Sequence, residues 1–138
     1  MKEKTKILTI SRDQSLVTLL QQELNDGDYE IINTEHGDIH LKDVVDAENP
    51  EFIILDIVMP SLDGIGTCLQ LRQWTQTPIM MLSTWDTRDG MVRGLNLGAE
   101  SYLTEPFSVD ILKMRIEDTL KRTIVTSGTL YNIQTNQN

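Results

Sequence analysis

The most constraining feature of this chain is a fivefold alternation of short apolar runs with amphipathic stretches. A short apolar run is typical of a strand, whereas apolar side chains spaced three and four residues apart are typical of a helix. The run that ends just before Asp56 is continuously apolar, as expected of a central strand buried on both faces. The predicted strands are Ile7–Ile10, Tyr29–Asn33, Phe52–Leu55, Ile79–Leu82 and Ser101–Thr104.

A helical segment follows each predicted strand. The first has Leu16, Leu19, Leu20 and Leu24 as its apolar positions, and the last begins after Ser108, a favourable N-cap residue. The other predicted helices are Ile39–Ala47, Asp63–Trp74 and Thr87–Leu97. Strands that alternate with helices need crossover connections, which produce a parallel sheet covered on both faces. The sequence therefore predicts a doubly wound α/β domain of the (βα)5 type.

Length and composition limit the class of protein. The 138 residues suit one compact domain, and 39% hydrophobic with 24% charged residues is typical of a soluble globular protein. The formal net charge of −9 predicts repulsion from nucleic-acid phosphates, so we expect no DNA binding by this chain alone. No apolar segment approaches the roughly 18 residues of a membrane span. The single cysteine, Cys68, excludes an internal disulfide and fits a reducing cytoplasm.

The stretch from Thr123 to Asn138 departs from the alternation. It is polar, rich in Thr, Asn and Gln, and ends without a core-forming element. One interpretation is a linker followed by the first strand of a C-terminal domain, because residues 127–133 alternate in polarity like a strand. The other interpretation is a disordered tail. We therefore predict one domain at residues 1–122 and leave both interpretations of 123–138 open.

The carboxyl ends of the predicted strands are where chemistry is expected. In a doubly wound sheet, ligands and reactive groups gather at this edge, near the point where the strand order reverses. Asp56 directly follows the buried apolar run, where its charge is costly unless something compensates. From position alone, Asp56 is either a reactive group or a cap for a loop amide. The other residues at this edge are Ser11, Arg12, Asp13, Ser83, Thr84, Glu105 and Pro106.

Three segments resemble the signatures of response-regulator receiver domains. They are Ile53–Gly64, which contains Asp56, then Pro78–Ser83 and Gly98–Phe107. The resemblance covers residues 5–122 and is strongest to the subclass with a C-terminal winged-helix DNA-binding domain. It implies a flavodoxin-like fold with sheet order 2-1-3-4-5 and a cytoplasmic signalling module that is not an enzyme. It also implies that DNA is bound only through a domain beyond this chain.

The resemblance assigns roles to individual residues. Asp56 matches the aspartate that accepts a phosphoryl group from a histidine kinase, a reaction in which Mg²⁺ and a protein cation neutralise the phosphoryl charge. Ser83 matches the switch hydroxyl that contacts the phosphoryl group, and Tyr102 matches the switch aromatic that moves inward. The bond between Glu105 and Pro106 matches a cis peptide bond of the family.

Two sets of charges depart from the family pattern. Ser11 and Arg12 stand where the family has the acidic pair that holds Mg²⁺, with Asp13 one residue later. Glu105 stands at the position of the family's lysine. The positive charge of Arg12 repels a metal ion. The negative charge of Glu105 repels a phosphoryl group on Asp56, and like charges about 4 Å apart repel by roughly 4 kcal/mol at an effective dielectric constant of about 20. We therefore expect a weak or absent Mg²⁺ site.

Two interpretations of this pocket stay open. In the first, Arg12 forms an ion pair with Asp56, with Glu105 or with both, and the domain is a degenerate receiver that does not use ordinary Mg²⁺-dependent phosphotransfer. A closely related alternative is an interaction module whose function does not depend on phosphorylation. In the second, Asp56 is phosphorylated conventionally, with Asp13 reaching the metal and Arg12 serving as the phosphoryl cation. A phosphohydrolase with an aspartate nucleophile is disfavoured because Val58 stands where its second acid is needed.

The resemblance also implies a homodimer face formed by the fourth helix, the fifth strand and the fifth helix. Arg115 matches a residue of that face, and Arg93 adds a further positive charge. Asn96 and Ser101 stand where acidic residues are usual, which thins the network of salt bridges. Exposed pairs contribute about 0–1 kcal/mol each, so the thinner network leaves dimerisation through this face as an expectation.

Overall fold

The computed structural model describes residues 4–25, 27–35, 40–56, 64–83, 101–104 and 107–121. Within them, the strands and helices follow one another in the predicted order. The predicted fourth helix and the tail from Thr123 onward lie outside the described residues. The strands are β1 (Thr5–Ile10), β2 (Tyr29–Thr34), β3 (Phe52–Asp56), β4 (Ile79–Ser83) and β5 (Ser101–Thr104). The helices are α1 (Gln14–Leu24), α2 (Leu41–Glu48), α3 (Gly64–Trp74) and a last one at 109–121, called the 109–121 helix.

The five strands form one parallel sheet in the order β2-β1-β3-β4-β5. This order confirms the doubly wound fold. The chain runs outward from β1 to β2 and then returns to place β3 on the other side of β1, so the reversal point lies between β1 and β3. Every residue of β3 is buried, as its continuous apolar sequence predicts.

Alternation of side chains along the strands divides the core into two layers. One layer lies under α2 and α3 and contains Leu8, Ile10, Ile53 and Leu55 from the central strands. The other lies under α1 and the 109–121 helix, and its members from the central strands are Ile7, Phe52, Ile54, Met80 and Leu82. Every second residue counted from Ile7 on β1 and from Phe52 on β3 therefore has its side chain on the face covered by α1. This alternation decides which polar side chains meet at the ends of the two strands.

Local hydrogen bonds set the helix boundaries. An oxygen of the Asp13 carboxylate accepts the backbone N–H groups of Ser15 at 3.0 Å and Leu16 at 3.2 Å, so Asp13 is the N-cap of α1. The hydroxyl of Ser108 accepts the N–H of Ile111 at 3.2 Å, which confirms the predicted cap of the 109–121 helix. Helix α2 ends at Asn49, whose φ of 48° is tolerated better by asparagine than by most residues. Among the described residues, no helix combines the length and apolar character needed to cross a membrane.

One predicted core position is wrong. The helical spacing predicts Leu19 on the apolar face of α1, yet 36% of it is exposed. The buried residues of α1 are Leu16, Val17, Leu20 and Leu24. The buried face of the helix therefore follows residues 16, 20 and 24, which are four residues apart, and Leu19 lies at the margin of that face.

We expect Asp13→Ala to lower the free energy of unfolding by about 1 kcal/mol, because two amide groups of the first turn of α1 lose their acceptor. Urea denaturation followed by circular dichroism measures the change. Asp13→Asn is the matched control, since an amide oxygen still caps the helix and should preserve most of the stability. Equal losses in both variants would mean that the carboxylate charge, and not the cap, stabilises this region.

Candidate functional site

The carboxyl ends of β1 and β3 bring Ser11 and Asp56 together. Ser11 directly follows β1, and Asp56 is the last residue of β3. Both have the strand parity of Ile7 and Phe52, so both side chains project toward the side of the sheet covered by α1. Asp56 is 2% exposed and Ser11 is 1% exposed. A carboxylate is therefore buried beside a hydroxyl at the reversal point of the sheet.

A short hydrogen bond joins these two side chains. The hydroxyl of Ser11 donates to the Oδ2 atom of Asp56 at 2.7 Å. The backbone N–H of Asp13 donates to the same hydroxyl oxygen at 3.0 Å. Because the N–H occupies a lone pair of the oxygen, the single hydroxyl proton of Ser11 is directed at the carboxylate. This bond offsets part of the cost of burying the charge of Asp56.

The main chain of Ser11 is also fixed by hydrogen bonds. Its N–H donates to the carbonyl oxygen of Thr34 at 3.1 Å. Its carbonyl oxygen accepts from the Nδ2 atom of Asn33 at 3.3 Å. The Oδ1 atom of Asn33 in turn accepts from the hydroxyl of Thr9 at 2.6 Å. The sequence patterns give no role to Thr9 and Asn33. The signal for Thr9 is that it interrupts the apolar run from Ile7 to Ile10, whereas Asn33 carries no such signal because Glu30 and Thr34 of the same strand are also polar.

Arg12 and Asp13 are both exposed and have separate contacts. The Nε atom of Arg12 donates to the carbonyl oxygen of Glu35 at 3.2 Å, in the connection after β2. Asp13 uses one carboxylate oxygen for the two amide groups at the start of α1. Of the residues predicted to surround Asp56, the structure therefore brings Ser11 into direct contact with it and gives Asp13 a capping role.

The remaining predicted site residues are described to different extents. Ser83 is the last residue of β4 and pairs in register with Thr104, at the same edge of the sheet as Asp56. Tyr102 lies on β5 with 37% of its surface exposed. Glu105, Pro106 and Arg93 lie outside the described residues, and with them the predicted cis peptide bond and any ion pair to Glu105.

The donor set does not fit the family's Mg²⁺ site. Mg²⁺ prefers octahedral oxygen coordination with one or two carboxylates. Within the described ranges, no group of three or more His, Cys, Asp and Glu side chains could hold a metal ion. One oxygen of Asp56, Oδ2, accepts from Ser11, and one oxygen of Asp13, Oδ1, accepts from the amides of α1. Neither position of the family's acidic pair supplies a carboxylate, because they hold Ser11 and Arg12.

The predicted dimer face is described only in part. Arg115 is exposed, and its Nη1 atom donates to the carbonyl oxygen of Tyr102 at 3.0 Å, so it binds β5 within the same chain. Ile111 and Met114 of the 109–121 helix are also exposed. Ser101, which stands where the family has an acidic residue, is buried, and its hydroxyl finds no hydrogen-bond partner among the described residues. It alternates with the exposed Tyr102, so its side chain faces the core.

Comparison with known proteins agrees with this architecture. The family model for the response regulator receiver domain matches residues 7–117. The alkaline phosphatase synthesis transcriptional regulatory protein PhoP of Bacillus subtilis (strain 168) is 42% identical over 118 residues, which are 85% of this chain and 49% of that protein. The chain thus spans about half the length of the curated relatives it matches.

Two solved receiver structures are also similar. The receiver domain of Francisella response regulator 1452 is 30% identical with a TM-score of 0.75, over 87% of this chain and 99% of that one. The BeF3-activated N-terminal receiver domain of Klebsiella pneumoniae RstA is 29% identical with a TM-score of 0.75, over 83% of this chain and 97% of that one. With the family model matching most of the chain and the sheet in receiver order, this chain belongs to the response-regulator receiver domain family.

Proposed function

We propose that this domain is a degenerate receiver, in which Asp56 is held by Ser11 and is not prepared for ordinary Mg²⁺-dependent phosphotransfer. The single observation that supports the proposal is the buried hydrogen bond of 2.7 Å between the Ser11 hydroxyl and the Asp56 carboxylate. In this arrangement a neutral hydroxyl occupies the space beside Asp56 where a receiver would present anionic metal ligands. The domain then changes its signalling state through binding events and not through ordinary Mg²⁺-dependent phosphotransfer.

The charges around the pocket support the same conclusion. A nucleophilic carboxylate needs a metal or protein cation to neutralise the incoming phosphoryl group. The Ser11 hydroxyl removes electron density from one oxygen of Asp56 without contributing charge for the phosphoryl group. Glu105, at the family's lysine position, adds a negative charge where a positive one is required. Each change lowers the rate of phosphoryl transfer to Asp56.

The conventional interpretation requires Asp13 and Arg12 to change partners. Asp13 would leave the α1 amides to reach a metal, at a cost of about 1 kcal/mol. Arg12 would turn from the Glu35 carbonyl toward the phosphoryl group. One observation favours this second candidate: RstA of Klebsiella pneumoniae, 29% identical, is described as BeF3-activated. We rank it second because it disrupts two contacts that the first candidate keeps.

We extend the proposal to the whole protein. The curated relatives are transcriptional regulators about twice as long as this chain. We place the domain as the cytoplasmic, non-enzymatic input module of such a regulator, with a winged-helix DNA-binding domain beyond it and residues 123–138 as the linker. Its partners are a histidine kinase and a second copy of the domain. The second copy binds through the surface of the 109–121 helix and β5 that exposes Tyr102, Ile111 and Met114.

A phosphodonor assay tests the proposal directly. The protein is incubated with acetyl phosphate and Mg²⁺, and its intact mass is measured beside a receiver that retains the acidic pair and the lysine. We expect the control to gain one phosphoryl group while this domain gains none in the same time, because its pocket lacks the cations that stabilise the transfer. A phosphoryl adduct that disappears in Asp56→Asn would establish the conventional interpretation instead.

Restoring the family's charges should create a metal site. We expect Ser11→Asp, Arg12→Asp and Glu105→Lys together to tighten Mg²⁺ binding by at least about tenfold, which corresponds to about 1.4 kcal/mol. Isothermal titration calorimetry measures the affinity. The matched control adds Asp56→Asn to the same variant and should abolish the gain. If the restored variant binds no better than wild type, the assignment of these positions to the metal pocket is wrong.

A further inference from the structure

We infer that Asn33 is a positioning residue for the Asp56 pocket and that it acts through Ser11. The inference rests on the proposed function only in taking Asp56 as the group that the pocket controls. The hydrogen bonds of the Asn33 side chain go to Thr9 and to the carbonyl oxygen of Ser11, and not to Asp56. Asn33 is half-buried near the end of β2 and lies outside the three segments that carry the family resemblance.

The orientation of the Asn33 amide is fixed by chemistry. Thr9 and Asn33 are in register on β1 and β2, so their side chains stand on the same face of the sheet. The carbonyl oxygen of Ser11 is only an acceptor, and therefore the NH₂ group of Asn33 must point at it. The amide oxygen is then left to accept from the Thr9 hydroxyl at 2.6 Å. Thr9 thus holds Asn33 in the one orientation that binds Ser11.

Asn33 controls a peptide group that lies between two pocket residues. The carbonyl oxygen of Ser11 belongs to the same rigid peptide unit as the N–H of Arg12. Fixing that plane sets the path of the next peptide, whose N–H at Asp13 binds the Ser11 hydroxyl at 3.0 Å. The hydroxyl proton is consequently directed at Asp56. A change at Asn33 is transmitted to Asp56 through the turn after β1.

The end of β2 therefore holds both residues that replace the family's acidic pair. Asn33 and the carbonyl oxygen of Thr34 bind the main chain of Ser11. The carbonyl oxygen of Glu35 binds the Nε atom of Arg12 at 3.2 Å. Since β2 is at one edge of the sheet, a ligand or partner that displaces its carboxyl end would release the bond between Ser11 and Asp56. Asn33 is the side chain through which such a displacement reaches the pocket.

A double-mutant cycle separates this positioning role from a general structural one. The readout is the ¹³Cγ chemical shift of Asp56 in the folded, isotope-labelled domain, because that resonance reports hydrogen bonding to the carboxylate. The variants are Ser11→Ala, Asn33→Leu and the two combined. Thr9→Val, which keeps the shape of a buried side chain, serves as a second perturbation if Asn33→Leu fails to fold. Thr77→Val is the matched control, since it removes a threonine hydroxyl bond of 2.8 Å just before β4, whereas the pocket lies at the carboxyl ends of the strands.

We expect Asn33→Leu and Thr9→Val to move the Asp56 resonance in the same direction as Ser11→Ala, and Thr77→Val to leave it in place. In the Ser11→Ala background, Asn33→Leu should add no further displacement. Additive displacements, or an unmoved resonance in Asn33→Leu and Thr9→Val, would overturn the positioning role while leaving the proposed pocket intact. An unmoved resonance in Ser11→Ala itself would instead refute the pocket on which the proposed function rests.

Discussion

The burial of the Asp56 carboxylate is the constraint around which this domain is organised. A charge with 2% exposure at the end of a fully apolar strand needs compensation, and Ser11 provides part of it with a hydrogen bond of 2.7 Å. In receivers that use Mg²⁺, acidic residues at the end of the first strand lie beside the aspartate, and a bound metal ion is needed to compensate their negative charges. In the proposed degenerate receiver, the hydroxyl of Ser11 takes this place and supplies part of the compensation without a metal. On this proposal, Ser11 changes what the pocket requires without changing the fold that creates it.

The fold and the pocket depend on each other through the strand ends. Reversal of the strand order between β1 and β3 places Ser11 and Asp56 side by side, and the two core layers give both residues the same face. In return, the polar contacts of the turn after β1 fix the start of α1, because Asp13 caps the helix while its N–H binds Ser11. Changing this turn toward a metal site consequently costs helix stability as well as hydrogen bonds.

The sequence was sufficient for the architecture and for the central residue of the site. The apolar run before Asp56 and the cap at Ser108 follow from local patterns, and the structure agrees with both. Leu19 was misassigned because helical spacing does not fix where a buried face ends. The bond from Ser11 to Asp56 and the contribution of Asn33 could not be predicted, since they depend on the path of one turn and on the register of β1 with β2. Charge alone points to Arg12 as a compensating group and gives no sign of the uncharged contact from Ser11.

Detection of the Ser11 hydroxyl proton by NMR tests the central claim most directly. The account predicts a slowly exchanging hydroxyl signal with a cross-peak to the amide proton of Asp13, present both without metal and at high Mg²⁺ concentration. The exposed hydroxyl of Ser15, one turn away on the surface of α1, gives the exchange rate expected of an unprotected serine. A Ser11 hydroxyl that exchanges as fast as that of Ser15, or that loses its signal when Mg²⁺ binds at Asp56, would contradict the account.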